Sequence, residues 1–146
     1  MRFFITVIGI SILLTACKKQ EPEVFSSTPE IRIESVAPTT IQQFTDSLIV
    51  NLAYQDGDGD LGHVHPDSLS LRVQDARLTA PDWYFVQPLA PVDESLAIEG
   101  TLRFQISGAF LLGNGNQETT TYTIAIKDRA GNWSNEVVTP TITITK

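Results

Sequence analysis

From residue 30 onward, apolar side chains recur at every second position, and many of them are β-branched. Period two is the spacing of a strand with one buried face and one wet face. It predicts strands over 30–36 (Ile31, Ile33), 47–54 (Leu48, Val50, Leu52, Tyr54) and 68–75 (Leu69, Leu71, Val73). A short apolar strand over 83–86 follows, then 101–107 (Leu102, Phe104, Ile106) and 119–127 (Tyr122, Ile124, Ile126). The last run, 136–145, carries Val138, Ile142 and Ile144 on one face and threonines on the other. Pro140 interrupts it and has no N–H to donate, which predicts an edge position or a bulge. No helical stripe exceeds two turns, and no internal repeat occurs.

Seven short strands, each half apolar, need a second sheet to cover the apolar face. The economical solution is an antiparallel β-sandwich. Strand number and spacing resemble an immunoglobulin-like or fibronectin III-like module, with strands A, B, C, C′, E, F and G in that order. Tyr122 then stands where such folds keep a tyrosine corner, near the start of strand F. The disulfide and strand-C tryptophan of antibody domains are missing, so that subfamily is not implied. A jelly roll is the alternative, and it would want one more strand.

The chain before this domain has a different character. Arg2 gives a short positive start, and residues 3–14 are a run of mostly apolar residues. That is the length of a signal-peptide core. A transmembrane helix needs roughly 20 apolar residues, and here Lys18-Lys19 ends the run. Leu14-Thr15-Ala16-Cys17 resembles the lipobox of bacterial lipoproteins, and Cys17 is the only cysteine. The resemblance implies a signal peptide over 1–16, cleavage, and acyl chains such as palmitate on Cys17. Each buried CH₂ of such chains contributes about 0.8 kcal/mol, so several chains hold the protein at a membrane. With Cys17 consumed, no disulfide, catalytic thiol or CxxC zinc site remains. Residues 17–29, charged and without periodicity, read as a flexible tether, and 30–146 as the domain. No Asp directly follows Cys17, so the inner-membrane retention signal of enterobacteria is absent. The layout resembles small outer-membrane lipoproteins of Bacteroidota, which implies an envelope location, periplasmic or surface-exposed, and no defined activity.

The full chain carries a net charge of −7, and losing Arg2 with the signal makes the mature part −8. Nucleic-acid partners want basic stripes, and none is present. An acidic surface keeps a domain dispersed and suits cations. Asp56-Gly57-Asp58-Gly59-Asp60, between strands B and C, places three carboxylates in five residues. They repel one another unless a cation sits among them, and hard oxygen ligands in loose geometry are what Ca²⁺ requires. The spacing resembles the first half of an EF-hand loop. It departs at Leu61, where glycine should stand, and at Asp67, where glutamate should, and no helices flank it.

A second loop, 128–135, reads D-x-A-G-N-x-S-N and resembles the F–G turn of bacterial immunoglobulin-like domains. In that topology the B–C and F–G loops share one end. Asp56, Asp58, Asp60 and Asp128 would then converge on one Ca²⁺, with Asn132 as a neutral donor. The plainer alternative is two hydrophilic turns held by side-chain to backbone hydrogen bonds, with no metal.

Other candidates are weaker. His63 and His65, two apart, would share a strand face and with Asp60 or Asp67 suit Zn²⁺; exposed histidines at a strand start are commoner. Trp133 and Trp83-Tyr84-Phe85 could form a platform for sugar rings, although aromatic residues in strands are commonly core. No G-x-S-x-G elbow occurs, and a domain with such short loops offers no cleft for paired acids. The expectation is a non-enzymatic, lipid-anchored binding or structural module of the cell envelope, stabilised by Ca²⁺. Its partners would be the membrane, through the N-terminal lipid, and an envelope protein or a glycan. A carbohydrate-binding lipoprotein is the alternative.

Overall fold

The computed structural model describes residues 25–146. The predicted signal segment 1–16, the predicted acylation site Cys17 and the first part of the predicted tether lie outside the described residues. Ten strands follow in order. They are β1 (Glu30–Ala37), β2 (Thr40–Gln42), β3 (Ser47–Asp56), β4 (Leu69–Asp75), β5 (Asp82–Phe85), β6 (Ile98–Ser107), β7 (Gln117–Thr120), β8 (Tyr122–Ile126), β9 (Val137–Val138) and β10 (Ile142–Thr145). No helix is present among the described residues.

The strands form three sheets, ordered β1-β3-β6, β5-β4-β8-β9 and β2-β10-β7. Pairing is antiparallel except between β2 and β10, which run parallel with Ile41 opposite Ile144. The alternation seen in the sequence now has a physical cause. Leu48, Val50 and Leu52 of β3, Leu71 and Val73 of β4, Ile124 and Ile126 of β8, and Ile142 and Ile144 of β10 join one core. None of these is more than 1% exposed. Each such side chain contributes about 1.5–3 kcal/mol on burial. β3 belongs to one sheet and β4 and β8 to another, so the apolar faces meet and the architecture is a β-sandwich.

Two predicted strands are broken. The run 119–127 divides at Thr121, and the run 136–145 divides around Pro140. At the second break the chain passes from β8 to β7 as its neighbour. Thr139 carries the junction: its Oγ1 accepts from the Tyr122 N–H at 2.9 Å, and its own N–H donates to the Tyr122 carbonyl at 2.9 Å. The side chain thus supplies a ladder bond where the proline ends the ladder. β9 is an edge strand, whereas β10 lies between β2 and β7, so only the first half of that run has the expected edge position. β2 was not predicted, because three residues with one buried isoleucine show no period.

Candidate metal centre

Asp56 is the last residue of β3 and is 0% exposed. Its Oδ2 accepts from the Asp60 N–H at 2.9 Å, which folds the intervening residues into a turn. The two glycines inside that turn are required by close packing. The Gly57 N–H donates to the Ser26 carbonyl at 2.7 Å, and a Cβ there would be driven into the Phe25 carbonyl. Gly59 has φ +71°, and a Cβ there would overlap the Leu96 carbonyl.

The β8–β9 loop lies against this turn. The Ala130 N–H donates to Asp60 Oδ2 at 2.8 Å, the Arg129 N–H donates to the Asp60 carbonyl at 3.2 Å, and Leu61 bridges Asp128. The Arg129 guanidinium donates to the Gly62 carbonyl at 3.1 Å. Asp128 is 1% exposed, and its turn engages both oxygens. Oδ1 accepts from the Asn132 N–H at 2.6 Å and Oδ2 from Asn132 Nδ2 at 2.9 Å.

What remains is a group of three carboxylates. Asp56, Asp58 and Asp60 each offer an oxygen, and the three oxygens lie within 4.8 Å of one another. The Oδ1 atoms of all three are buried and accept no hydrogen bond from the protein. Buried acceptors are normally paired, because leaving one unpaired costs about 1–3 kcal/mol or more. Burial, then the neighbouring Asp58 charge, pushes Asp56 up to about 6. Burial also raises Asp60, against the Ala130 N–H that lowers it. Three hard, unpartnered oxygens converging in a loop fit a divalent cation of the calcium type. Asp128 and Asn132 sit beside this group and are not members of it. Both oxygens of Asp128 accept from Asn132, and the three-carboxylate group is formed by Asp56, Asp58 and Asp60 of the five residues expected from the sequence.

The remaining candidates fall elsewhere. His63 and His65 lie in the turn before β4, not on a strand, and neither joins the three-carboxylate group. Trp83 and Trp133, fifty residues apart, come together with ring centroids 5.9 Å apart and planes tilted by 53°. Arg72 lies 5.0 Å from the centre of the Trp133 ring, and the Lys127 ammonium 5.8 Å. Tyr84 is not part of this surface. Alternation along β5 turns it inward, against Phe104 at 5.8 Å.

Two cavities are open to solvent. The larger, about 410 Å³, lies away from the carboxylates, on β1, β3 and β6. Several of its polar groups are partnered with one another: Arg32 with Glu34, Thr101 with Glu34 and Gln55 with Glu30. The smaller, about 360 Å³, is lined by Asp58, Asp60 and Arg129 together with Asp93 and Glu94 from the β5–β6 connection. Asp93 and Glu94 carry no spacing signal in the sequence, and only the fold brings them to the Asp-rich turn. No family model matches the chain, and comparison with curated proteins and with solved structures returns no match.

Proposed function

We propose that the chain is a lipid-anchored, immunoglobulin-like or fibronectin III-like module of the bacterial outer envelope, with a Ca²⁺ ion fixing one end of the sandwich. In this reading it binds an envelope partner and catalyses no reaction. The observation that carries the ion is the set of three buried, unpartnered Oδ1 atoms of Asp56, Asp58 and Asp60. The lipobox at residues 14–17 supports the anchor. The sheet order β5-β4-β8-β9 opposite β1-β3-β6 supports the immunoglobulin-like assignment, since it corresponds to C′-C-F-G opposite A-B-E.

The test is a pair of melting curves, with calcium and with chelator. A ligand bound only by the folded state adds about 2.7 kcal/mol of stability at a hundredfold excess over Kd, worth several degrees for a domain of this size. Superimposed curves would remove the ion. An intact mass lacking acyl chains, on protein from its native host, would remove the anchor.

A second reading, glycan binding, is favoured by the Trp83–Trp133 pair on an exposed sheet face, where Trp83 is 43% and Trp133 37% exposed. Stacking on such rings is non-specific in sequence terms but specific in geometry. A glycan array with Trp83→Ala and Trp133→Ala as controls decides it: no sugar retained by the unaltered protein ends this reading.

A further inference from the structure

Three carboxylate oxygens are too few for calcium, which takes six to eight oxygen ligands. The remaining ligands are water, backbone carbonyls or further carboxylates that face the same space. The cavity of about 360 Å³ beside the turn is lined by Asp58 and Asp60, two members of the group, and by Asp93 and Glu94. Four carboxylates and one guanidinium therefore share one small volume. The Arg129 charge offsets them only in part: it acts on Asp60, while its donors go to the carbonyls of Gly62 at 3.1 Å and of Leu61 and Gly59 at 3.5 Å.

The β5–β6 connection is fixed where it meets the turn. The Leu89 N–H donates to the Leu61 carbonyl at 3.1 Å, and Leu96 packs its carbonyl over Gly59. Between these points the Glu94 N–H donates to the Pro91 carbonyl at 3.3 Å. The acidic tip of the connection is thus carried on two supports that both rest on the Asp-rich turn. Asp58 and Asp60 belong both to this cavity and to the three-aspartate group, in which Asp56, 0% exposed, leaves Oδ1 without a partner; Asp93 and Glu94 line the cavity beside that group.

We infer that the cation site is completed by a third loop: Asp93 and Glu94 supply oxygen ligands to a divalent cation held by Asp56, Asp58 and Asp60. This rests on the ion reading above and extends it. The ion ties residues 91–95 to the turn after β3, so its occupancy sets the order of the β5–β6 connection.

The test uses the full chain in detergent, with calcium alone as the probe. Titration calorimetry gives Kd, and hydrogen exchange follows the segment 88–97. The Asp93→Asn, Glu94→Gln double variant should weaken calcium binding at least tenfold and abolish calcium-dependent protection of 88–97. Both residues are exposed in the loop, so the variant should fold normally. Asp67→Asn, outside the cavity, should bind as the unaltered protein does. A double variant with unchanged Kd overturns the third-loop ligands while leaving the three-aspartate site intact. An unaltered chain that binds no calcium overturns both.

Discussion

The backbone amide of Ala130 donates to Oδ2 of Asp60 at 2.8 Å, across 70 positions of sequence. This bond joins the turn after β3 to the loop after β8. It also consumes one oxygen of Asp60 and leaves Oδ1 buried beside those of Asp56 and Asp58. The scaffold therefore orients Asp56 and Asp60 with backbone donors and leaves Oδ1 of all three aspartates without a partner. Such an arrangement is costly without a cation and stable with one.

The cost gives Asp58→Asn opposite effects under two conditions. Without a divalent cation the substitution removes one of three mutually repelling charges, so the melting temperature should rise or hold. In calcium the same variant should melt below the unaltered protein, because it has lost a ligand. Differential scanning calorimetry in chelator and in calcium reads both signs. A variant less stable in both conditions would mean that Asp58 acts only as a turn residue.

The pH dependence should follow the same group. Asp56 titrates at about 6 in the folded state, above its ordinary value of 3.8. A raised pKa means the folded state holds the proton more tightly, so its stabilising contribution is full below 3.8 and is lost as pH rises through 6. Chelated protein should therefore gain stability between pH 7.5 and pH 5. Calcium competes with that proton, so the calcium-induced shift in melting should shrink over the same interval. Melting at both pH values, with and without calcium, checks the two trends together.

Gly59 links this chemistry to packing. Its φ of +71° suits glycine, and a Cβ would collide with the Leu96 carbonyl. Gly59→Ala combines a left-handed residue, about 1 kcal/mol, with displacement of backbone that cannot swing aside as a side chain does. The expected loss is about 2 kcal/mol or more by urea unfolding, with weaker calcium binding because the β5–β6 connection is pushed off the turn.

The sandwich was legible because its strands are half buried, and half burial prints period two on the chain. Leu48, Val50 and Leu52 alternate in sequence because they alternate in the core. The breaks were less legible. Thr121 looks like any other threonine of a strand, and only its neighbours' change of partner shows the division. The Asp-Gly-Asp-Gly-Asp turn announced itself through local spacing, whereas Asp93 and Glu94 reach it through tertiary placement. Sequence also does not display that Asn132 donates its Nδ2 to Asp128 at 2.9 Å.

At the opposite end, Arg77 holds a buried network. It donates to Asp75 Oδ2 at 2.7 Å, to Glu118 Oε2 at 2.8 Å and to the Phe110 carbonyl at 3.0 Å. Burial alone would raise Asp75, but the Arg77 guanidinium and the Thr120 hydroxyl outweigh it and lower the carboxyl. Arg77→Ala leaves a buried carboxylate unpaired and should cost about 3–5 kcal/mol. Since Asp75 has a lowered pKa, its contribution is present above the ordinary value and is lost as pH falls through the folded one. The penalty of Arg77→Ala in urea should accordingly be larger at pH 7 than at pH 3.

Asn135 ties β1 to the β8–β9 loop by imitating a backbone rung. Its Oδ1 accepts from the Ile31 N–H at 2.8 Å, and its Nδ2 donates to the Ile31 carbonyl at 2.8 Å. The side chain reaches 104 positions back along the chain. Each bond is worth about 0.5–1.5 kcal/mol, so Asn135→Ala should cost about 1–3 kcal/mol. Asn135→Asp is more informative, because it keeps the acceptor and replaces the donor with an oxygen facing the Ile31 carbonyl. If the amide works as a rung, Asp should be no better than Ala despite its similar shape, and exchange of the Ile31 amide should accelerate in both. An aspartate variant as stable as the unaltered protein would show that packing, not the paired bonds, holds β1 to this loop.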